Sequence, residues 1–169
     1  PCLYVLWAVG AYLLGSISVG DLLARAANVF REMGVRYAAA VFVGDVVKGA
    51  ASTVPLLALA LPAWVGVLAA ASLLGGHFFP VPWRSMGGTG MAAAMGSTIG
   101  MLPLGVAVAA VPVVLVIAVT RNAGLTGGAF FLLTAAVGGT LHSDWVGVAG
   151  VVLMGIAVAV KSWYQYRWL

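Results

Sequence analysis

The chain has 169 residues, of which 63% are hydrophobic and only 7% are charged. Charged residues make up about a quarter of an ordinary soluble domain, so this composition excludes a soluble globular protein and indicates a helical integral membrane protein. The net charge of +4 is not carried by basic runs interleaved with aromatic residues, so nothing indicates a nucleic-acid partner.

Apolar spans follow one another along the chain, separated by charged or proline-containing turns. They cover residues 3–24, 37–61, 63–79, 90–102, 104–120, 125–140 and 145–160. The fourth span falls short of the roughly 30 Å hydrocarbon core. We therefore expect it to tilt, to start inside the preceding loop, or to be shielded by neighbouring helices. The prediction is one all-α, polytopic membrane domain over residues 1–169, with about seven transmembrane helices.

The basic residues predict the orientation of these spans. With an external N-terminus, every lysine and arginine except the intramembrane Lys48 lies on the other side: Arg25, Arg31, Arg36, Arg84, Arg121, Lys161 and Arg167. Because basic loops stay in the cytoplasm, we expect the N-terminus outside and the C-terminus in the cytoplasm.

Few polar side chains interrupt the apolar spans. Asp45 and Lys48 are three residues apart and share a helix face. A charge inside a bilayer is costly and is usually paired or functional, so the two form either a structural ion pair or part of a site or proton path. His77, beside aromatic residues, is typical of a hydrogen-bonded structural histidine. Asp144 is expected to start the last helix. The histidines lie on opposite faces, which excludes a metal site between them.

Glycine-rich segments suggest two different roles. "MGGTGM", residues 86–91, opens a helix, and glycines at a helix start expose backbone N–H groups that form an anion cradle. A P-loop is excluded because no Gly-Lys-Ser/Thr follows. The pairs Gly96–Gly100 and Gly124–Gly128 fit a seam of small residues that lets helices pack closely.

Several motifs, in order and in register, resemble one bacterial family, the acyl-phosphate-dependent glycerol-3-phosphate acyltransferases. The segments are "GSISVGDLLAR" (15–25), "NVFREMG" (28–34), "DVVKG" (45–49), "GHFFPV" (76–81) and "GGTGMAAAMG" (87–96). The resemblance implies a seven-helix enzyme of the bacterial plasma (inner) membrane, at the start of phospholipid synthesis, with its site on the cytoplasmic face. It implies membrane lipids and two anionic phosphate substrates as partners, and no cofactor.

The same resemblance assigns roles to residues, although it identifies no catalytic residue. The glycerol-3-phosphate hydroxyl would attack the acyl-phosphate, while the protein positions both substrates and stabilises developing charge. The implied phosphate-binding residues are Asn28, Arg31, Gly87, Gly88, Thr89 and Gly90. The implied structural or supporting residues are Ser16, Asp45, Lys48, His77 and Pro80.

The chain also departs from the family pattern. Thr89 replaces a lysine, Gly124 replaces a serine, and Trp163 and Tyr166 stand roughly where a tail histidine and asparagine are expected. The Gly-Ser-Gly-Asn loop of the family is not found between Arg25 and Asn28. Loss of charge-assisted contacts costs about 1.5–3 kcal/mol each, which predicts a depleted catalytic set.

The departures leave three functions open. The first is an active acyltransferase with a modified site. The second is a non-catalytic relative that serves as a structural or lipid-binding subunit of a larger membrane complex, with its tail aromatic residues at an interface. The third is a small transporter that uses Asp45 and Lys48.

Overall fold

The computed structural model of the chain describes residues 2–20, 35–81, 88–142 and 144–167. Within these ranges the fold is entirely helical, which confirms the predicted class. The helices are α1 Cys2–Ser16, α2 Val35–Ala58, α3 Ala63–Phe78, α4 Met91–Met101, α5 Pro103–Thr120, α6 Ala123–His142 and α7 Trp145–Tyr166. By length and composition α2, α5, α6 and α7 can each cross a membrane, whereas α1, α3 and α4 are shorter apolar helices.

The first helix ends earlier than the sequence predicts. The span was expected over 3–24, but α1 stops at Ser16 and the chain bends at Ile17. The Ser16 hydroxyl donates to the Tyr12 carbonyl within the last turn, at 3.0 Å. The Ile17 carbonyl lies beyond the helix and accepts a hydrogen bond from Lys48 on α2. The apolar pattern gives no sign of this bend, because the residues on both sides of it are equally hydrophobic. Residues 21–24 lie outside the described ranges.

The short fourth helix is shielded by its neighbours, which was one of the three alternatives expected from the sequence. Helix α4 has 11 residues, and most of them are buried. Its backbone touches that of α2, because a methyl group at Gly96 would overlap the Val46 carbonyl, and one at Gly49 would overlap the Ala93 carbonyl. The Thr53 hydroxyl donates to the Ser97 carbonyl across the same contact, at 2.8 Å. Neighbouring helices therefore provide the apolar and polar contacts that α4 is too short to obtain alone.

A second backbone contact joins α1 to α3. A methyl group at Gly15 would overlap the Leu73 carbonyl, and one at Gly76 would overlap the Tyr12 carbonyl. The indole Nε1 of Trp7 donates to the Ser52 carbonyl at 2.9 Å, which ties α1 to α2 as well. Close approach through small residues is the usual way in which membrane helices gain packing energy.

Only one of the two predicted glycine seams packs against another helix. Gly96 and Gly100 press against α2, as expected. The prediction for Gly124 and Gly128 is wrong: no neighbouring helix lies within 4 Å of a methyl group at either position, and both are exposed. These glycines of α6 line an open groove instead.

The helices alternate in direction. The ends of α1 and α3 and the start of α4 therefore lie together at one end of the bundle. Tyr12 near the end of α1 donates to the Phe79 carbonyl just after α3, at 2.8 Å. Phe78 also contacts Gly90, the residue that precedes α4. At the opposite end Asp144 caps α7 as expected, accepting from the Gly147 amide at 3.1 Å. The predicted site residues gather at the first of these two ends.

We expect Gly96→Ala to destabilise the fold by about 3 kcal/mol, at the upper end of the cost of overpacking, because a rigid backbone carbonyl opposes the new methyl group. Thermal unfolding of the purified protein in detergent measures the effect. Gly10→Ala is the matched control, since nothing lies within 4 Å of a methyl group there. Equal unfolding temperatures for the two variants would contradict the α2–α4 contact.

Candidate functional site

A buried ion pair lies at the centre of the predicted site. Lys48 Nζ is 2.8 Å from Asp45 Oδ1, and the two residues occupy one face of α2 as the spacing predicted. Lys48 is only 5% exposed. The ammonium group also donates to the Ile17 carbonyl at 3.0 Å and meets His77 Nδ1 at 2.9 Å. Its three N–H groups thus match three acceptors, and the ion pair acts as a junction between α1, α2 and α3.

This junction determines how His77 is protonated. An ammonium group only donates hydrogen bonds, so His77 Nδ1 accepts the one from Lys48, and the neutral ring carries its proton on Nε2. The Nε2 atom faces the glycine loop, since a methyl group at Gly88 would lie 2.8 Å from it. His77 therefore presents one N–H group at the residues that precede α4.

The glycine loop and the start of α4 come next to this imidazole. Gly90 has a φ of 75° and stands directly before Met91, the first residue of α4. That left-handed conformation favours glycine, and any side chain would in addition meet the Phe78 ring. No described side chain caps this helix start, whose first N–H groups lack partners within the helix. The loop therefore has the geometry of an anion cradle.

The remaining supporting residues hold the surrounding backbone. Ser16 bonds only within α1, as described above, and Pro80 is buried just after α3. Three predicted phosphate-binding residues, Asn28, Arg31 and Gly87, lie outside the described ranges. The structure thus brings together Asp45, Lys48, His77, Gly88 and Gly90, with Thr89 half-buried between the two glycines.

An apolar groove of about 360 Å³ opens between α6 and α7, beside this cluster. Met91, which follows Gly90, lines its near end, while Gly124, Gly128 and Gly155 make it wide. Ser162 lies in the same wall, and its buried hydroxyl has no hydrogen-bond partner among the described residues. A buried hydroxyl without a partner is uncommon. Ser162 can therefore donate a hydrogen bond to a polar group that enters this end of the groove.

Sequence reasoning missed two residues on α7. Trp163, which stands roughly at the family's tail histidine, is 58% exposed, while its neighbour Ser162 faces the groove. The side chain of Tyr166, which stands roughly at the tail asparagine, lies outside the described residues. The Lys161 ammonium group lies near the Phe78 and Phe79 rings. Successive side chains on a helix point about 100° apart, so a shift of one residue changes which of them faces the groove. The only sequence signal for Lys161 and Ser162 is their polarity.

Comparisons with known proteins identify the family of this chain. Residues 5–168 match the model of a protein family described as glycerol-3-phosphate acyltransferase. A glycerol-3-phosphate acyltransferase of Halalkalibacterium halodurans is 29% identical over 181 residues, which cover 96% of this chain and 87% of that protein. One from Pseudomonas syringae pv. syringae is 35% identical over 138 residues, or 68% of each chain.

The fold is similar to that of a solved membrane protein. The crystal structure of PlsY, an integral membrane glycerol 3-phosphate acyltransferase in its glycerol 3-phosphate form, superposes with a TM-score of 0.84. The match covers 97% of this chain and 90% of that chain, at 19% identity.

We expect Lys48→Met to cost about 3–5 kcal/mol of folding stability, because it leaves the Asp45 carboxylate buried without its counter-charge. The double variant Asp45→Asn/Lys48→Met should recover part of this loss, since no unpaired charge then remains. Thermal unfolding of the wild type, both single variants and the double variant in detergent gives the coupling energy. Purely additive losses would show that the ion pair does not hold the junction together.

Proposed function

This chain belongs to the glycerol-3-phosphate acyltransferase family, and we propose that it transfers an acyl group from an acyl-phosphate to a hydroxyl group of glycerol-3-phosphate. The hydroxyl oxygen forms a bond to the acyl carbonyl carbon, and the bond from that carbon to the phosphate oxygen breaks. The hydroxyl proton ends on the departing phosphate, so that lysophosphatidic acid and inorganic phosphate are released. The supporting observation is that His77, fixed by Lys48, presents Nε2 at the glycine loop that begins α4.

The acceptor phosphate fits the start of α4. Backbone N–H groups at a helix start and the Nε2–H of His77 lie at the same loop, and both favour a bound anion. Lys48 supports this arrangement without contacting the phosphate, because it is buried against Asp45, the Ile17 carbonyl and His77 Nδ1. In this proposal Asp45 and Lys48 orient His77, and His77 contacts the substrate.

The acyl chain fits the groove between α6 and α7. The wall is almost wholly apolar, and it begins beside Met91, directly after the loop that would hold the phosphate. A chain lying in the groove would bring its carbonyl to the end where Ser162 offers a hydrogen-bond donor. Donors aimed at a developing oxyanion stabilise the transition state of acyl transfer.

We expect the purified protein in detergent to form lysophosphatidic acid from acyl-phosphate and glycerol-3-phosphate. Gly88→Ala should lower kcat/KM about 100-fold, because its methyl group covers the His77 N–H donor and losing one such donor costs roughly this factor. Gly88 is exposed, so the unfolding temperature should stay unchanged.

Gly10→Ala is the matched control for activity, as for stability. No turnover by a folded wild-type sample would refute catalysis and favour the second candidate, a non-catalytic relative. The uncharged Thr89 and the absence of a hydroxyl at Gly124 are the observations that keep this candidate open.

We also propose that all seven helices cross the membrane, with the N-terminus outside and the site at the cytoplasmic face. The exposed Cys2 is the only cysteine of the chain, which makes the orientation testable. A membrane-impermeant maleimide should label Cys2 in intact spheroplasts. In the variant Cys2→Ala/Arg121→Cys, labelling should require permeabilisation, because residue 121 follows α5 at the site end. The opposite pattern would reverse the orientation.

A further inference from the structure

Lys161, near the end of α7, is a half-buried cation that has no counter-ion among the described residues. Its Nζ lies 5.8 Å from the centroid of the Phe78 ring and 5.5 Å from that of the Phe79 ring. No described residue gives it a carboxylate or a hydrogen-bond acceptor. Cation–π contacts attract the ammonium group to the rings but leave its N–H donors available to an anion.

One of the two rings that contact Lys161, that of Phe78, also contacts the glycine loop. The Phe78 ring lies 2.7 Å from where a methyl group at Gly90 would stand, and His77 lies against both Gly88 and Gly90. Lys161 therefore shares the Phe78 ring as a neighbour with Gly90, the residue that precedes α4, and it approaches the loop from a different helix.

The described part of the site has no other cation to offer an anion. Lys48 is buried in an ion pair with Asp45 and bonds to the Ile17 carbonyl and His77 Nδ1, and Gly88, Thr89 and Gly90 are uncharged. A phosphate taken out of water into a partly apolar site needs charge-assisted hydrogen bonds to offset its desolvation. Helix-start N–H groups supply only part of this compensation.

We propose that Lys161 binds a substrate phosphate group at the start of α4 and so supplies the positive charge that Thr89 does not. This inference rests on the proposed function. The ligand chemistry is a phosphate monoester or an acyl-phosphate, and the side chain acts from α7, across the Phe78 ring from the loop.

Steady-state kinetics in a phospholipid-free neutral detergent test the proposal. Lys161→Met should lower kcat/KM about 10- to 100-fold, the effect of losing one charge-assisted hydrogen bond. Lys161→Arg should retain most of the activity. Thr89→Lys in the Lys161→Met background should restore activity, because it returns the charge from the loop. A raised KM for glycerol-3-phosphate or for acyl-phosphate identifies which phosphate is bound, and the absence of lipid excludes a headgroup effect.

Arg121→Asn is the matched charge control. It removes one exposed positive charge from the same end of the bundle, and asparagine suits the φ of 50° at that position. It should leave kcat/KM unchanged. Wild-type kcat/KM in Lys161→Met, with an unchanged unfolding temperature, would overturn the inference.

A binding measurement separates failure of this inference from failure of the proposed function. Inorganic phosphate should raise the unfolding temperature of the wild type, and the midpoint concentration should rise about tenfold or more in Lys161→Met. Lys161-dependent binding without turnover would support the inference and refute catalysis. Turnover or phosphate binding that is independent of Lys161 would refute the inference.

Discussion

One buried ammonium group sets the positions of the helices around the site. Lys48 is tolerated in an apolar interior because the Asp45 carboxylate neutralises its charge and the Ile17 carbonyl and His77 Nδ1 accept hydrogen bonds from it. Two of these acceptors require special features elsewhere: α1 must end before Ile17, and α3 must carry a histidine in its last turn. The bend after α1 is therefore a consequence of burying Lys48. The same junction fixes the protonation of His77 and the direction of its Nε2–H group.

Glycine contacts bring the second half of the site to this junction. Gly49 and Gly96 let α2 and α4 approach to backbone contact, while Gly15 and Gly76 do the same for α1 and α3. Side chains at these positions would push α4 outward and separate the loop from His77. Since lipid and protein interior are equally apolar, this fit supplies much of the packing energy. These glycines thereby set the distance between the loop and His77.

Sequence reasoning predicted the helices, the Asp45–Lys48 pair and the opening of α4 at the glycine loop, because charges, prolines and glycines mark these features directly. It failed where a prediction depended on which side of a helix faces inward. Gly124 and Gly128 were expected to pack but line a groove, and Ser162, which faces the same groove, was not predicted at all. In a helix that is apolar all round, the sequence carries no signal for its buried face. Only contacts between helices decide this.

The division of roles among the polar residues explains how such a site tolerates change. Asp45, Lys48 and the Nδ1 atom of His77 bond to one another or to backbone, so the fold itself requires them whether or not a substrate binds. The residues that would meet a substrate are Thr89, in the loop before α4, and Lys161 and Ser162, next to each other on α7. Within the described residues, no hydrogen bond joins them to this internal core. A bound phosphate is attracted by any positive charge close to it, whichever helix carries that charge. Moving the cation from the loop to α7 thus conserves the interaction while the local motif is lost.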